Sequence, residues 1–315
     1  MPYLSDAQKR VVAALMHAKG DVAEAADHIG VSRQYVYEVI RKLRRKNVVF
    51  YCEPPYRILG LVPLLVVREP DSRSLPWQDY IVYSLEFYGF NGKMYETCVY
   101  VFPDDRIDVL FRDLSSLCFI TRELYDIYQP VPSVNLREFV RSAERINYAK
   151  WSPKGLRRIS LDRLDYLLLS EFSEDFFRPL KNIAEKFSVN KSTLSYHYRR
   201  HVRSLLRLRY YYQPDGRHPL FAARLHIKDR NVFSLLLQAD FIRLLLPSRD
   251  FGEVYVLLEL SYREFNDLIK SLPPLSDRVF EAVIAGIVEN KSIKRKPLNL
   301  AQLKEKPHFQ GLMPI

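Results

Sequence analysis

The sequence is poor in cysteine and has no long apolar run. Its three cysteines, Cys52, Cys98 and Cys118, are odd in number and share no short ligand spacing, which argues against a disulfide framework or a zinc site. No apolar stretch approaches the roughly 18 residues that cross a bilayer, and residues 1–30 lack the apolar segment of a signal peptide. We therefore expect a cytoplasmic protein with no membrane partner.

Motifs that carry catalysis are also missing. There is no glycine-rich phosphate loop, no GxSxG elbow, no HExxH and no paired catalytic carboxylates. His197 and His201 are four residues apart, a spacing that can ligate a metal on a helix, but no third ligand lies nearby in sequence. The sequence thus predicts no enzyme, no catalytic residue, no metal and no cofactor.

What the chain does have is an internal repeat. Residues 22–50 and 180–208 align without gaps at an offset of 158, and both apolar and cationic positions recur. A single duplication near mid-chain predicts two similar halves. Matching positions include Ala26 with Ala184, Val31 with Val189, Val36 with Leu194, Arg33 with Lys191, Arg41 with Arg199, and Arg45 with Arg203.

Positive charge is concentrated in this repeat. The net charge of the chain is +11, yet residues 33–46 carry six cations against Glu38 alone, and residues 178–209 carry nine against Glu185 alone. A solvated helix face would normally interleave acidic residues. Clustered cations over a near-neutral remainder predict a polyanion-binding surface.

Hydrophobic periodicity predicts a winged helix-turn-helix in each half. The first comprises helices Ser5–Ala18, Val22–Ile29 and, capped by Ser32, a third to Lys46, followed by a wing strand Val48–Cys52; Gly30 offers the turn after the second helix. The second comprises helices Leu161–Phe172, Pro179–Phe187 and Lys191–Leu206, with a wing Leu208–Gln213 that turns at residues 214–216.

A βαββαβ order, typical of a ferredoxin-like domain, is predicted after each winged unit. Gly92 and Tyr95 recur as Gly252 and Tyr255, which extends the repeat. The first domain is predicted as Leu59–Val67, helix Trp77–Phe87, a short strand near Phe90, Tyr95–Phe102, helix Arg106–Leu117 and Phe119–Tyr128. The second is predicted as Leu220–Ile227, helix Val232–Ile242, a short strand near Leu245, Val254–Leu260, helix Tyr262–Leu272 and Val279–Val288.

The predicted fold class is therefore α+β, two repeats of winged helix-turn-helix followed by a ferredoxin-like βαββαβ domain. Its predicted boundaries are 1–53 for the first winged helix-turn-helix, 57–130 for the first ferredoxin-like domain, 131–158 for a linker with a helix Asn135–Ile146, 159–215 for the second winged helix-turn-helix, 218–291 for the second ferredoxin-like domain and 292–315 for a basic, extended C-terminal tail.

This combination resembles the Lrp/AsnC (feast/famine) family of archaeal and bacterial transcription regulators. The resemblance lies in AEAADHIGVSRQYVYEVIRKL, KNIAEKFSVNKSTLSYHYRRHV and FGEVYVLLEL, and covers both halves as a tandem fusion. It implies a nucleoid-associated regulator whose sheet domains pair. The family can bind an amino acid between subunits, but its usual acidic residue after the glycine does not stand out here, where Gly92 is followed by Lys-Met-Tyr and Gly252 by Glu-Val-Tyr.

We expect the third helices to enter adjacent major grooves and to read two unlike half-sites as a pseudo-dimer. The predicted partners are double-stranded DNA, a small-molecule effector at the ferredoxin-like domains and, left open, a second copy of the chain. Base-reading candidates are Ser32, Arg33, Gln34, Tyr37, Lys191, Ser192, Ser195 and Tyr196. Phosphate-contacting candidates are Arg41, Lys42, Arg44, Arg45, Lys46, Arg199, Arg200, Arg203, Arg207 and Arg209.

Two alternatives remain open at this stage. A similar pairing of domains occurs in enzymes resembling sirohaem decarboxylases, for which the sheet regions offer only His218 and His226 as histidines. The other alternative is an architectural protein that binds DNA without sequence choice.

Overall fold

The computed structural model describes residues 4–70, 73–115, 117–118, 120–144, 160–213, 218–276, 279–288 and 293–300. Within these ranges the chain is α+β, with ten α-helices and antiparallel sheets. None of the helices in these ranges has the length and apolar composition of a membrane-spanning segment.

The first three helices follow the sequence prediction closely. They are α1 (Asp6–His17), α2 (Val22–Ile29) and α3 (Arg33–Arg45). The Ser32 hydroxyl accepts a hydrogen bond from the Tyr35 backbone N–H at 3.1 Å, which satisfies a free donor in the first turn of α3. Gly30 ends α2 at φ +69°, a left-handed conformation that glycine adopts without strain. Local signals therefore define this unit.

The corresponding helices of the second half are α6 (Arg163–Glu174), α7 (Leu180–Lys186) and α8 (Lys191–His197). The prediction of a continuous helix Lys191–Leu206 is wrong, because a π-helical turn at Tyr198–Val202 and a 3₁₀ turn at Arg203–Leu205 follow α8. A π turn closes i→i+5 hydrogen bonds, so residues four apart lie close to one full turn. His197 and His201 consequently both face α6.

Single strands follow the two helical units where wings were predicted. They are β1 (Val49–Cys52) and β6 (Leu208–Tyr211), and they pair with each other in an antiparallel ladder. Ion pairs also link the two units: Arg44 contacts Asp175 at 2.5 Å, and Arg203 contacts Asp21 at 3.2 Å. The two helical units are thus joined directly.

The remaining strands form one sheet that closes on itself. Its order is β5-β2-β4-β3-β10-β7-β9-β8, so each half contributes four adjacent strands. Residues 124–128, which follow β5, bond to β8 through the bridges Leu124 with Ser248 and Tyr128 with Leu245. This pairing joins the two outer strands and makes the sheet a barrel. The strands are β2 (Leu61–Arg68), β3 (Ile81–Gly89), β4 (Met94–Pro103), β5 (Ile120–Glu123), β7 (Leu220–Ile227), β8 (Ile242–Pro247), β9 (Glu253–Glu259) and β10 (Phe280–Val288).

One predicted helix in the first half is wrong. Residues 77–87 were expected to be helical, but a short 3₁₀ turn, Gln78–Tyr80, leads directly into strand β3. The segment IVYSLEFYG is rich in β-branched and aromatic residues, and its pairing on both sides outweighs the helical spacing. The strand expected near Phe90 is present but is long and not short, since β3 runs to Gly89 and Phe90 begins the β3–β4 turn.

Helices cover the outside of the barrel. They are α4 (Ile107–Ser115) in the first half, α5 (Leu136–Glu144) in the segment between the halves, and α9 (Val232–Leu236) and α10 (Tyr262–Ser276) in the second half. The Phe221 ring on β7 stacks on Phe265 of α10 at 4.0 Å between centroids, so odd-numbered residues of β7 from 221 face outward. A second hydrophobic core, which we call the outer core, lies between these helices and the outer face of the barrel. Helix α5, predicted as a linker helix ending at residue 146, packs into it through Leu136, Phe139 and Ala143.

The predicted basic tail begins as ordered structure. Residues Lys294–Arg295 form β11, which pairs with β3, and the Arg295 guanidinium lies 3.4 Å from the centroid of the Tyr51 ring. The segment is extended, as predicted, but it is not a free arm, because it pairs with β3 and the Arg295 guanidinium packs on Tyr51. Lys304 and Lys306 lie outside the described residues.

Candidate functional site: the barrel cavity

A cavity of about 440 Å³ lies inside the barrel. All eight barrel strands line it, because alternate residues of each strand point inward. Its walls are predominantly aliphatic and aromatic, as is typical of small-molecule sites. The inward side chains include Leu65 and Val67 of β2, Leu85 and Phe87 of β3, Thr97 of β4, Ile120 of β5, Ala222 of β7, Leu246 of β8, Leu257 of β9 and Val283 of β10.

Polar groups gather at one rim of this cavity, which we call the rim cluster: Arg122, Arg224, His226, Glu253 and Tyr255. Glu253 is the anionic centre, with Arg122 at 3.4 Å, Arg224 at 3.6 Å and His226 at 3.7 Å. Asp250 adds a second carboxylate whose charge acts on Arg122, so the two guanidinium groups face two carboxylates in and beside the rim cluster. Since Arg122 and Arg224 keep 51% and 37% of their side-chain surface exposed, their remaining donors can reach a ligand.

Tyr255 connects the rim cluster to the cavity wall. It lies opposite Arg224 in the β7–β9 ladder, and its hydroxyl donates to Glu253 at 3.0 Å. Burial raises the pKa of Tyr255, and the hydrogen bond from Arg122 opposes that rise. The phenol is therefore neutral near physiological pH and keeps its donor role.

The first half contributes a second tyrosine to the same cavity. Tyr95 lines it from β4, and its hydroxyl lies 2.6 Å from the Asn91 side-chain nitrogen in the β3–β4 turn. The repeated Gly-x-x-Tyr interval that marked the duplication thus places Tyr95 and Tyr255 in one cavity. Phe90, in the same turn as Asn91, also lines the cavity and remains 65% exposed.

The predicted DNA-contacting residues lie elsewhere, on the helical units. Most are exposed, and six of them surround a shallow hollow at the start of α8. Their roles stay predictions. The exposed set comprises Ser32, Arg33, Gln34, Tyr37, Arg41, Lys42, Arg44, Arg45, Lys46, Lys191, Ser192, Tyr196, Arg199, Arg200 and Arg203, and Ser195 is half-buried.

Two of the predicted phosphate contacts are not on that surface. Arg209 is buried and its Nε lies 3.4 Å from Glu53, which is itself 2% exposed. Arg207 donates to the buried carboxylate of Asp126. Each arginine compensates a carboxylate that the barrel and β1 remove from water, a pairing that sequence charge alone does not reveal.

The rim cluster was missed by sequence reasoning. Arg122 and Arg224 are not among the residues predicted from the sequence. Glu253 enters only through the comparison with the family pattern, and His226 enters only as a tetrapyrrole candidate. A signal was present in β7, where LFAARLHI places Arg224 and His226 on the face otherwise occupied by Leu220 and Ala222. The meaning of that signal depends on barrel closure, which brings Arg122 of β5 beside Tyr255 of β9.

Comparison with known proteins gives no family assignment. No family model and no curated protein matches the chain. Among solved structures, the chain is similar to a putative monooxygenase from Lactobacillus acidophilus, at 5% identity and a TM-score of 0.30, covering 75% of this chain and 96% of that one. It is also similar to a putative monooxygenase from Fusobacterium nucleatum, at 7% identity and a TM-score of 0.29, covering 75% and 98%.

These findings correct the functional predictions. The expected tandem Lrp/AsnC regulator, sequence-specific and non-enzymatic, is contradicted, since the similar chains are putative monooxygenases and no regulator family matches. The physical reason for the error is that an apolar three-helix pattern specifies local packing and not the role of the whole chain. At these TM-scores the similarity assigns no activity to this chain either.

The tetrapyrrole alternative gains little from the geometry. His226 belongs to the rim cluster, whereas His218 is not among the lining residues of the cavity. A tetrapyrrole with many carboxylates needs several cations around it, and Arg224 is the charged side chain among the described lining residues. The cavity suits a smaller and more apolar molecule.

Proposed function

We propose that the barrel binds a small, largely apolar molecule that carries one acidic group. The observation that supports this most is the 440 Å³ cavity with apolar walls and an arginine-bearing rim. Cavities of roughly 300–1,000 Å³ with a few convergent polar groups are typical of small-molecule sites. The two halves have to be covalently joined or paired for such a site to exist, because each supplies half of the wall.

The apolar part of the ligand would occupy the space between β2, β3, β8 and β10. Burial of its surface contributes roughly 25 cal/mol per Å². Val283 is 42% exposed and Phe90 is 65% exposed although both line the cavity, so a ligand would cover apolar surface that is otherwise open to water.

The acidic group would lie at the rim cluster. Arg224 and Arg122 can each donate to a carboxylate or sulfonate, whereas the single O–H proton of Tyr255 is donated to Glu253. Glu253 holds both guanidinium groups in position and repels an anion, so its presence limits how many anionic groups the rim accepts. The rim cluster therefore matches a ligand with one acidic group.

The experiment uses two fluorescent dyes that differ by one group. 1-Anilinonaphthalene-8-sulfonate is apolar and anionic, and N-phenyl-1-naphthylamine is its uncharged counterpart. We expect both dyes to bind the native protein with increased fluorescence and decanoate to displace them more effectively than decanol. A native near-ultraviolet circular dichroism spectrum excludes binding to a loosened state.

The variant Arg224→Gln should affect the binding of the two dyes differently. A hydrogen bond to a charged group contributes about 1.5–3 kcal/mol, and partial exposure of Arg224 reduces this to about 1 kcal/mol, or roughly 5-fold in affinity. The sulfonate dye should lose this factor and the uncharged dye should keep its affinity. Arg249→Gln, at an exposed arginine paired with Glu123, is the control. Equal loss for both dyes would contradict a rim contact.

Double-stranded DNA is a separate proposed partner, for the exposed cations of α3 and α8. This partner depends on the proposal that each half combines a winged helix-turn-helix with a ferredoxin-like unit. The strand order within each half supports that proposal: β5-β2-β4-β3 in the first and β10-β7-β9-β8 in the second. The test is duplex binding by Arg41→Gln/Arg199→Gln at several salt concentrations. A salt slope equal to that of the wild type would argue against phosphate contacts by these arginines.

A further inference from the structure

A buried carboxylate and two imidazoles meet between α6 and α8. The Nδ1 atom of His197 lies 3.0 Å from Asp165 Oδ1, and the Nδ1 atom of His201 lies 3.0 Å from Asp165 Oδ2 and 3.2 Å from Oδ1. The three ligand atoms all lie within 4.8 Å of one another. Asp162 adds a carboxylate oxygen 3.3 Å from His197 Nδ1. Spacing along the chain does not identify the third member, because Asp165 lies on another helix, α6.

We propose that Asp165, His197 and His201 bind a divalent transition-metal ion of the zinc type. Ligands bonded to one ion at about 2.0–2.2 Å are separated by about 3 Å when they are adjacent, and the Asp–His distances have this value. Two imidazoles with one carboxylate favour zinc and its first-row neighbours over magnesium or calcium, which prefer oxygen ligands.

The electrostatics of Asp165 support a cation at this place. The carboxylate is 1% exposed, and its hydrogen-bond partners among the described residues are the Asp162 backbone N–H and the two imidazoles. No arginine or lysine ion pair with Asp165 is found in that part of the chain. Apart from the two imidazoles, this buried carboxylate has no cationic partner among the described residues, and a divalent ion held by all three groups would compensate its charge.

The first half shows what the same position looks like without such a site. At the repeat offset, His197 and His201 correspond to Val39 and Leu43, which are buried apolar residues of α3. By position within the helix, and not by the offset, Asp165, the third residue of α6, corresponds to Gln8, the third residue of α1. The second half therefore has two imidazoles where the first has buried apolar residues, and a carboxylate where the first has an amide.

The helix geometry is a further difference between the two halves. Helix α3 is regular to Arg45, whereas α8 gives way to a π turn at Tyr198–Val202 that contains His201. Single π turns within helices are frequent at functional sites. Here the π turn brings the rings of His197 and His201 to 5.4 Å between centroids, at an interplanar angle of 88°.

An ion can reach this position from solvent. The His201 side chain is 38% exposed and Asp162 is 53% exposed, while Asp165 closes the inner side. The site therefore has room for a water or for Asp162 as a fourth ligand, which zinc requires. Binding would fix the π turn against α6, directly below the exposed Tyr196.

The experiment titrates metal-free protein with Zn²⁺ by calorimetry and with Co²⁺ by visible absorption. We expect one ion per chain, a cobalt spectrum of nitrogen and oxygen ligation, and a higher melting temperature with Zn²⁺ but not with Mg²⁺. The triple variant Asp165→Gln/His197→Val/His201→Leu restores the residues of the first half and should fold, bind no ion and show no melting shift.

Two further variants keep the test decisive if the triple variant is unstable. Asp165→Asn and His201→Gln each remove one ligand with little change in shape. Each should weaken binding by more than the roughly 10- to 100-fold that an outer-sphere partner contributes. His17→Gln/His28→Gln, which removes the other histidine pair, whose rings are 6.2 Å apart, should leave binding unchanged. Wild-type protein that binds no Zn²⁺, or ligand variants that bind it normally, would overturn the proposal.

Discussion

Strand β7 offers a sharp test of the barrel, because two adjacent alanines face opposite sides of it. Ala222 points into the cavity, whereas Ala223 is 4% exposed and belongs to the outer core under the helices. The same substitution to leucine adds three carbons at each position. Its effect on stability and on ligand binding should therefore depend only on which side the side chain faces.

For Ala222→Leu the added carbons enter open space in a 440 Å³ cavity. Complete burial would stabilise the fold by about 0.8 kcal/mol per carbon, or roughly 2 kcal/mol in all, and partial exposure at the open rim reduces this to about 1 kcal/mol. For Ala223→Leu the added carbons enter the buried core under the helices, and overpacking of close-packed neighbours should cost about 1–3 kcal/mol. The two variants should thus differ by roughly 2–4 kcal/mol in their free energy of unfolding.

Urea unfolding followed by circular dichroism measures this difference in stability, and titration with the two dyes measures how tightly the cavity binds them. Ala222→Leu should lower the affinity for both naphthalene dyes by about 10-fold or more, since each dye loses contact surface worth at least about 1.4 kcal/mol. Ala223→Leu should keep the dye affinities of the native state. Equal destabilisation of the two variants would refute the inward and outward assignment, and unchanged dye binding by Ala222→Leu would refute the cavity as the site.

Three other predictions concern positions outside the cavity. Arg209→Leu leaves the carboxylate of Glu53 buried without its cation and should destabilise the fold by about 3 kcal/mol in urea unfolding, whereas Arg41→Leu at the exposed face of α3 should change stability by less than about 0.5 kcal/mol. Gly30→Ala forces a left-handed conformation on alanine and should cost about 1 kcal/mol, seen as a lower melting temperature; no change would mean that the turn relaxes. Burial raises the pKa of Cys52 to about 12, so iodoacetamide at about pH 8 should modify it only after unfolding, and rapid labelling of the folded protein would contradict its burial.

The sequence predicted those elements whose signals are local. Helix α2 begins and ends at the predicted residues, Val22 and Ile29, because Asp21 caps its first turn and Gly30 permits the turn that ends it. Strand β7 also has its predicted bounds, since LFAARLHI has the composition and length of a strand. The wrong helix at residues 77–87 shows the limit of this reasoning, because only pairing with β4 and β10 makes β3 a strand.

The candidate sites depended on long-range contacts. Arg122 and Tyr255 are 133 positions apart in the chain, and Asp165 is 32 residues before His197, so no spacing rule joins them. The charge clusters that the sequence displayed most clearly were separated by the fold into exposed cations on α3 and α8 and buried partners such as Arg209. Net charge in a window does not distinguish these two environments.

By itself, the sequence determined the duplication, the capped helices and the α+β class, since these depend on residues within a few turns or strands of one another. The tertiary structure alone decided that two four-stranded halves close into one barrel and that their repeated tyrosines share a cavity. It also decided that one copy of the repeat brings a carboxylate and two imidazoles together where the other has an amide and two apolar residues. The physical reason is that burial and proximity are properties of the packed chain, and they determine whether a charged or polar side chain is a surface group, a structural partner or a ligand.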